Sequence, residues 1–264
     1  MPSISSVDQL NNTITINSPP QRIISLVPSQ TELLFDIGLE EQIAGITRFC
    51  IHPADKVRSK EKVGGTKRFQ IDKIKQLEPD LIIGNKEENY KEGIEELQKY
   101  FPVWMSDIYS LEDSFAMMKE VSRITNRLNA GEKLIAEIKA AFINWQAIRG
   151  GQTAAYFVWR KPYLVAASNT FIDYMLNAFG LKNVFHNSQR YPEIQPDDLS
   201  ALKPDFIFLS SEPYAFSEKH FDEFRSFSPG SKVVLVDGEM FSWYGSRLRL
   251  TPEYFGKLKR QLER

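Results

Sequence analysis

Short runs of apolar residues alternate along the chain with segments in which apolar positions recur every three or four residues. The runs are typical of buried β-strands, and the three-to-four spacing is typical of one face of an α-helix. Strands that alternate with helices predict mostly parallel sheets covered on both faces. The predicted strands are 22–27, 42–46, 81–83, 103–105, 154–159, 163–166, 206–209 and 233–236; the predicted helices are 31–37 (with Ser29 as N-cap and Gly38 as its stop), 91–99, 171–179 (ending at Gly180) and one that opens at Thr251.

The middle of the chain has a different pattern. No proline occurs from Leu111 to Ile148, and apolar residues recur there in steps of mostly three or four. This spacing predicts a long helix, which Asn129 and Gly131 should break into a shorter and a longer piece. At about 1.5 Å per residue the second piece, Glu132 to Ile148, would span about 25 Å, enough to join two lobes.

An internal repeat indicates that two lobes exist. Residues 70–83 and 195–208 share the frame Q-x-D-x-(I/L)-x-x-L-x-P-D-x-I, and Gln195 follows Gln70 by 125 positions, as Pro204 follows Pro79. Pro-Asp turns also recur by chance before strands. Identity at six of these spaced positions favours two equivalent α/β lobes, each with a short helix, a turn and a strand. The predicted organisation is an N-terminal lobe over 1–109, a rigid connecting helix within 110–150 and a C-terminal lobe over 151–264, with a ligand cleft between Rossmann-like lobes.

Composition narrows the function. The 264 residues contain 33 Lys and Arg against 34 Asp and Glu, so the net charge of -1 argues against binding to nucleic acid through bulk positive charge. A hydrophobic fraction of 42% excludes a disordered chain. The apolar runs are far shorter than the roughly 18 residues that a membrane span needs, which excludes a transmembrane function.

Two features of the sequence can indicate the cellular compartment of the protein: the N-terminal segment and the single cysteine. Residues 1–20 lack a basic start followed by an apolar core, so no signal peptide is predicted. The protein is therefore expected in the cytoplasm if the sequence is full length. The alternative is an exported protein whose leader has already been removed. Cys50 alone cannot form an intramolecular disulfide, and this does not decide the compartment.

Four motifs resemble those of the substrate-binding proteins of ABC importers that carry cobalamin, ferric siderophores and haem. The opening R-I-I-S-L-x-P-S-x-T-E-L-x-F-x-x-G from Arg22 to Gly38 is the most specific of them. G-I-T at 45–47, L-x-P-D-L-I-I at 77–83 and G-L-x-N-V-F at 180–185 follow in order. The resemblance covers about 22–262 and implies two Rossmann-like lobes, one rigid helix and a ligand held between the lobes. It also implies a periplasmic or extracytoplasmic location, a permease partner and a monomer.

The resemblance assigns some of the ligand-binding positions. Phe49 falls where cobalamin-binding members have a pocket tyrosine, and Arg247 matches a segment just after the last ligand loop. Thr66 and Asn85 replace pocket tryptophans of those members. Additional aromatic side chains are expected to stack on a macrocycle or a catechol; they are Trp159, Phe241, Trp243 and Tyr244.

Cations in loops after predicted strands suggest a ligand with anionic groups, because guanidinium groups match carboxylate or phosphate oxygens. The alternative for each cation is a solvated surface charge. The predicted binding set contains Arg48, Arg68, Arg160 and Arg247, with Lys67 nearby in sequence. No protein cofactor is expected, and direct metal binding is not expected either, because the chain has three histidines and Cys50-Ile51-His52 is a weak pair. A metal should arrive inside a chelate.

Two glutamates could dock the permease. Glu212 follows Glu87 by the repeat offset of 125 positions, and family members dock through one acidic group per lobe. Glu88 and Glu92 are neighbouring candidates, and solvated loop charges are the alternative.

The leading hypothesis is a solute-binding protein that captures a metal chelate without chemistry. A cytoplasmic module that sequesters or senses the same ligands is a second hypothesis. A chelatase-type enzyme is a third, and it would require His52 at the cleft.

Overall fold

The computed structural model describes residues 3–17 and 19–263. The chain divides into two compact units, one formed by 1–141 with Tyr244–Arg249 and the other by Phe142–Trp243 with 250–264. The strands are β1 Ser3–Val7, β2 Thr13–Asn17, β3 Ile23–Ser25, β4 Ile43–Ile46, β5 Glu61–Lys62, β6 Gly64–Gly65, β7 Arg68–Phe69, β8 Leu81–Asn85, β9 Val103–Ser106, β10 Thr153–Trp159, β11 Tyr163–Val165, β12 Lys182–Asn183, β13 Glu193–Ile194, β14 Phe206–Ser210 and β15 Lys232–Val236. The helices are α1 Pro28–Asp36, α2 Ile71–Gln76, α3 Lys91–Gln98, α4 Leu111–Ile124, α5 Leu128–Ile143, α6 Phe171–Phe179, α7 Pro196–Leu202, α8 Phe221–Phe227, α9 Glu239–Ser242 and α10 Thr251–Leu262.

The first unit is built on a parallel sheet with strand order β5-β4-β3-β8-β9. The chain reverses its direction of travel across the sheet between β3 and β8, which is where open α/β sheets place ligands beyond the carboxyl ends. All five residues of β8 are buried, as expected for a strand covered on both faces. A two-stranded antiparallel hairpin, β1 with β2, precedes this sheet.

The second unit is built on a six-stranded sheet with order β13-β11-β10-β14-β15, and β12 pairs with the start of β10. The strands β12, β14 and β15 are parallel to β10 or to each other, and only β11 and β13 pair antiparallel. Alternate residues of β14 face opposite sides: Ile207 and Leu209 join one apolar cluster, whereas Phe208 packs against Phe241. Both faces of this sheet are therefore covered, and the predicted α/β class with mostly parallel sheets is confirmed.

The internal repeat has the same structure in both units. Each copy forms a short helix, α2 or α7, then the Pro-Asp turn, then a central strand, β8 or β14. Asp80 accepts hydrogen bonds from the backbone N–H groups of Gln21 and Arg22, just before β3. Asp205 accepts one from the backbone N–H of Thr153, the first residue of β10. The repeated aspartate therefore ties each central strand to the start of its neighbour.

The long central helix is interrupted earlier than the sequence pattern predicts. The break lies at Thr125–Arg127, where Asn126 takes a positive φ of 57° and the Arg127 N–H donates to the Ser122 carbonyl. Gly131, expected to break the helix, lies inside α5, and a Cβ there would come within 2.0 Å of the Ser122 hydroxyl. The prediction of a break at Asn129 and Gly131 is wrong, because this glycine permits close packing of α5 on α4.

The second helical piece also ends sooner than expected, at Ile143 instead of Ile148. Two hydrogen bonds hold the following segment on the end of α6: the Trp145 indole N–H donates to the Ala178 carbonyl, and the Ile148 N–H donates to the Phe179 carbonyl. These contacts replace further helical bonds. The division into 1–109, 110–150 and 151–264, with a rigid connector, stays a prediction.

Helix α1 also begins differently from the prediction. Its first residue is Pro28 and its N-cap is Val27, without a side-chain capping bond, so Ser29 is not the N-cap. Proline suits this position because the first helical N–H has no partner within the helix. None of the helices in the described part of the chain combines the length and the hydropathy that a membrane-spanning helix needs.

Candidate functional site

The loops at the carboxyl end of the first unit's sheet bring together several predicted ligand residues. Arg48 and Phe49 follow β4, and the Arg48 guanidinium lies 5.2 Å from the centre of the Phe49 ring. The β6–β7 hairpin lies beside them, because a Cβ on Gly65 would be 3.2 Å from the Phe49 ring and 3.4 Å from an Arg48 nitrogen. Phe49 is 50% exposed, so part of its ring is accessible to a ligand. We call Arg48, Phe49 and the hairpin through Arg68 the first-unit surface.

The hairpin of the first-unit surface is fixed from beneath by polar contacts. Asn89 donates to the carbonyls of Leu26 and Thr66, and the Lys67 ammonium donates to the Glu87 carbonyl. Thr66 is 9% exposed, whereas Lys67 and Arg68 are exposed. The surface therefore offers an aromatic ring and cations on a backbone held by buried hydrogen bonds.

The Asn85 side chain is fully occupied by hydrogen bonds within the first unit. It is 1% exposed, and its amide donates to the carbonyl and the hydroxyl of Ser106. Its side-chain oxygen accepts the N–H groups of Glu87 and Glu88. Because every side-chain polar atom of Asn85 is engaged, the proposed ligand site excludes this predicted residue.

Cys50 and His52 follow the same strand, and the Cys50 side chain is packed inside the fold. The Cys50 sulfur is buried between the Thr31 and Thr47 hydroxyls, 3.1 and 3.2 Å away. Burial raises the pKa of this thiol. Within residues 3–17 and 19–263, no group of three or more His, Cys, Asp or Glu side chains is placed to hold a metal ion.

The second unit presents a surface of similar chemistry at the end of β10, which we call the second-unit surface: Trp159, Arg160, Tyr214 and Glu223. The Trp159 ring, 39% exposed, packs edge-on against Tyr214 with 5.7 Å between ring centres. Arg160 donates to Glu223 at 2.8 Å, and the Tyr163 hydroxyl donates to the other oxygen of the same carboxylate. The predicted residues Trp159 and Arg160 are thus neighbours on one face.

The charges of the second-unit surface are set by these hydrogen bonds. Partial burial acts to raise the pKa of Glu223, but donation by Tyr163 and Arg160 outweighs it and lowers that pKa. Burial and the bond to Glu223 raise the pKa of Tyr163 to about 12. Glu223 is therefore ionised near neutral pH and orients Arg160.

Tyr214 and Glu223 were missed by the sequence analysis. Tyr214 directly follows the Glu212-Pro213 pair at the end of β14, and an aromatic ring at that position was the available signal. Glu223 lies in α8, a helix for which no prediction was made. Only the fold brings it to Arg160, 63 positions earlier in the sequence.

The predicted aromatic loop after β15 is mostly buried. Phe241 is 0% exposed, and its ring is surrounded by Tyr156, Phe179, Phe208 and Phe255 at centre distances of 5.1 to 6.3 Å. It is a core residue of the second unit. The proposed ligand site therefore excludes Phe241.

Trp243 and Tyr244 are each 7% exposed and close the same loop. The Trp243 indole N–H and the Ser242 hydroxyl both donate to one carboxylate oxygen of Glu212, at 2.8 Å. Burial raises the pKa of Glu212, and the two donors oppose this. Glu212, predicted to dock the permease, thus also orients Trp243.

Arg247 lies in the first unit as part of Tyr244–Arg249. Its guanidinium donates two bonds of 2.8 Å to the carboxylate of Glu32. Both side chains are about nine-tenths buried, with exposures of 9% and 10%. Arg247 is therefore committed to an internal ion pair, and the proposed ligand site excludes it.

Residues 23–229 match the sequence profile described as periplasmic binding protein. The chain belongs to this family. The family consists of binding proteins that work in the periplasm or elsewhere outside the cytoplasm, and the predicted family is confirmed.

Individual relatives are distant. The vitamin B12-binding protein of Vibrio campbellii is 24% identical over 199 residues, 74% of this chain and 72% of that protein. An uncharacterised ABC transporter substrate-binding lipoprotein of Bacillus subtilis, YvrC, is 23% identical over 254 residues, 91% of this chain and 80% of that protein. Among solved structures, the periplasmic haem-binding protein HutB of Vibrio cholerae has a TM-score of 0.77 at 17% identity and covers 92% of this chain and 99% of its own. At this identity the structural likeness shows the fold alone.

Proposed function

We propose that this protein is the solute-binding subunit of an ABC importer and captures a metal chelate of the cobalamin, ferric-siderophore or haem class. Exposed Phe49 beside Arg48 in one unit, and exposed Trp159 beside Arg160 in the other, carry the proposal. Aromatic faces provide contact area to a flat chelate, and guanidinium groups complement its anionic substituents. The names of the Vibrio relatives and the family membership support the same class of ligand.

The first test is to identify the bound molecule. Native mass spectrometry and absorbance spectra of protein purified from its own host would distinguish a corrinoid, a haem or a ferric chelate by mass and visible band. Titration with cyanocobalamin, haemin and a ferric catecholate, followed by tryptophan fluorescence, would then give affinities. The proposal would be contradicted if the purified protein carried no chelate and also bound none of the three probes.

Two substitutions connect binding to the proposed surfaces. Phe49→Ala and Trp159→Ala should each weaken binding of the recognised probe by about tenfold or more, because a stacked aromatic contact is lost. Tyr100→Ala is a matched control, since Tyr100 is 55% exposed but lies just before β9, at the opposite end of the sheet. If Phe49→Ala and Trp159→Ala bound the probe as tightly as Tyr100→Ala, the result would argue against ligand binding at these two surfaces.

We propose that the permease partner binds the protein through Glu87 and Glu212. The two loops are equivalent: the Glu87 N–H donates to Asn85, the last residue of β8, and the Glu212 N–H donates to Ser210, the last residue of β14. Uptake in cells should fall with Glu87→Arg and Glu212→Arg, and Glu212→Gln separates loss of charge from loss of the Trp243 contact. Unchanged uptake in both arginine variants would reject docking through these residues.

We further propose that the protein acts by binding and release without catalysis, and that it works outside the cytoplasmic membrane. Steady metal insertion into a porphyrin, abolished by His52→Ala, would instead favour the chelatase alternative. Recovery of the native protein only in the cytosolic fraction would favour the sequestering module.

A further inference from the structure

The segment Tyr244–Arg249, which we call the return segment, belongs to the first unit although the residues on both sides of it belong to the second. The chain therefore passes between the units three times: after Ala141, after Trp243 and after Arg249. The first passage lies within α5. The other two flank the return segment.

The return segment is anchored to α1 by two ion pairs of different quality. Arg247 forms the buried, two-bond pair with Glu32 described above. Arg249 meets Asp36 at 3.2 Å with side-chain exposures of 40% and 24%. Glu32 and Asp36 are four positions apart, so they lie on one face of α1.

Backbone packing supports the same attachment. Ser246 and Leu248 are 0% exposed. A Cβ on Gly245 would lie 2.7 Å from the Ser29 carbonyl oxygen in the first turn of α1. The segment thus lies against the helix along its length, and Gly245 permits the close approach.

We propose that Glu32 and Arg247 are positioning residues that hold the return segment on α1 and thereby fix Trp243, the residue just before it. The Trp243 indole N–H itself donates to the carboxylate of Glu212, a residue of the second unit. This rests on the proposed function in one respect, that the position of Trp243 matters for retaining a chelate. The anchoring itself can be measured without any ligand.

Hydrogen exchange of the ligand-free full chain tests the anchor. Glu32→Gln should accelerate exchange in peptides covering 244–249 by tenfold or more, because the buried guanidinium loses its charged partner. Asp36→Asn is the matched control, because Asp36 lies one turn after Glu32 on α1 and pairs with Arg249 of the same return segment; it should change exchange less than threefold. Peptides covering β14 should exchange as in the unmodified protein in both variants.

Arg247→Lys covers the case in which Glu32→Gln fails to fold, since lysine keeps the charge but loses the two-bond geometry. It should give an intermediate acceleration confined to 244–249. Unchanged exchange there in a folded Glu32→Gln or Arg247→Lys protein, or an equal effect of Asp36→Asn, would overturn the proposal.

A second measurement connects the anchor to function. Dissociation of cyanocobalamin or haemin, whichever the unmodified protein binds, should be at least fivefold faster in Arg247→Lys and unchanged in Asp36→Asn. An unchanged dissociation rate together with accelerated exchange would refute the link to ligand retention. Failure of every probe to bind the unmodified protein would contradict the proposed ligand class, and the exchange result would still decide the anchor.

Discussion

Phe241 and Phe49 should respond to the same substitution in opposite ways. Phe241→Ala removes a ring that is 0% exposed and packed among four aromatic side chains, so it leaves a cavity in the second unit. Substitutions of this kind cost about 3 to 5 kcal/mol. Phe49→Ala removes a ring that is 50% exposed, so its effect on stability should be below about 1 kcal/mol.

The measurement is urea unfolding, followed by circular dichroism, in parallel with titration of the recognised chelate. Phe241→Ala should lower the free energy of unfolding of the transition that reports the second unit, and Phe241→Leu should recover part of the loss because it refills much of the cavity. Phe49→Ala should leave the midpoint nearly unchanged and weaken binding. A Phe241→Ala protein of full stability with strongly weakened binding would refute the assignment of Phe241 to the core.

Three further predictions follow from individual contacts. Asp80→Ala and Asp205→Ala should each lower the free energy of unfolding by about 1 to 2 kcal/mol, because each removes a carboxylate that accepts backbone N–H groups; a loss in only one variant in urea unfolding would show that the repeat is not equivalent. Burial raises the pKa of Glu212, so the folded state binds its proton more tightly than the unfolded state, and stability should fall as pH rises from the unfolded value through the folded one; urea midpoints between pH 4 and 7 should decline less in Glu212→Gln, and parallel curves would contradict this. Gly245→Ala should destabilise the protein by about 1 to 3 kcal/mol, since the added Cβ would meet the Ser29 carbonyl at 2.7 Å; a thermal midpoint equal to that of the unmodified chain would show that the segment can shift at no cost.

The sequence pattern was informative where local signals and burial agree. Helix α6 was predicted with both ends correct, because Thr170 caps its start by accepting the Asp173 N–H and Gly180 ends it at a φ of 100°. The buried strands β8 and β14 were located because continuous apolar runs identify strands covered on both faces. Their equivalence followed from the repeat.

The elements that were missed depend on contacts distant in sequence. The β1–β2 hairpin is mostly polar on its exposed face, and Asp8 and Gln9 hold it to residues about 100 positions later through bonds with Met105 and Asp107. Gly131 could not be assigned to a helix interior without knowing that α4 packs there. Pattern alone gives no information about such partners.

The same reasoning explains which site predictions changed. Residue type and position after a strand do not distinguish a side chain that faces solvent from one that is buried in internal contacts. Arg48 and Arg247 were both predicted to lie in loops, but only Arg247 contacts a buried carboxylate, and that carboxylate is 215 positions away in the sequence. An arginine with its donors already bound to Glu32 would have to give up a buried ion pair to bind an anionic ligand, whereas Arg48, which lies over the exposed Phe49 ring, would not. The free energy of breaking the buried pair therefore assigns ligand recognition to Arg48 and positioning to Arg247.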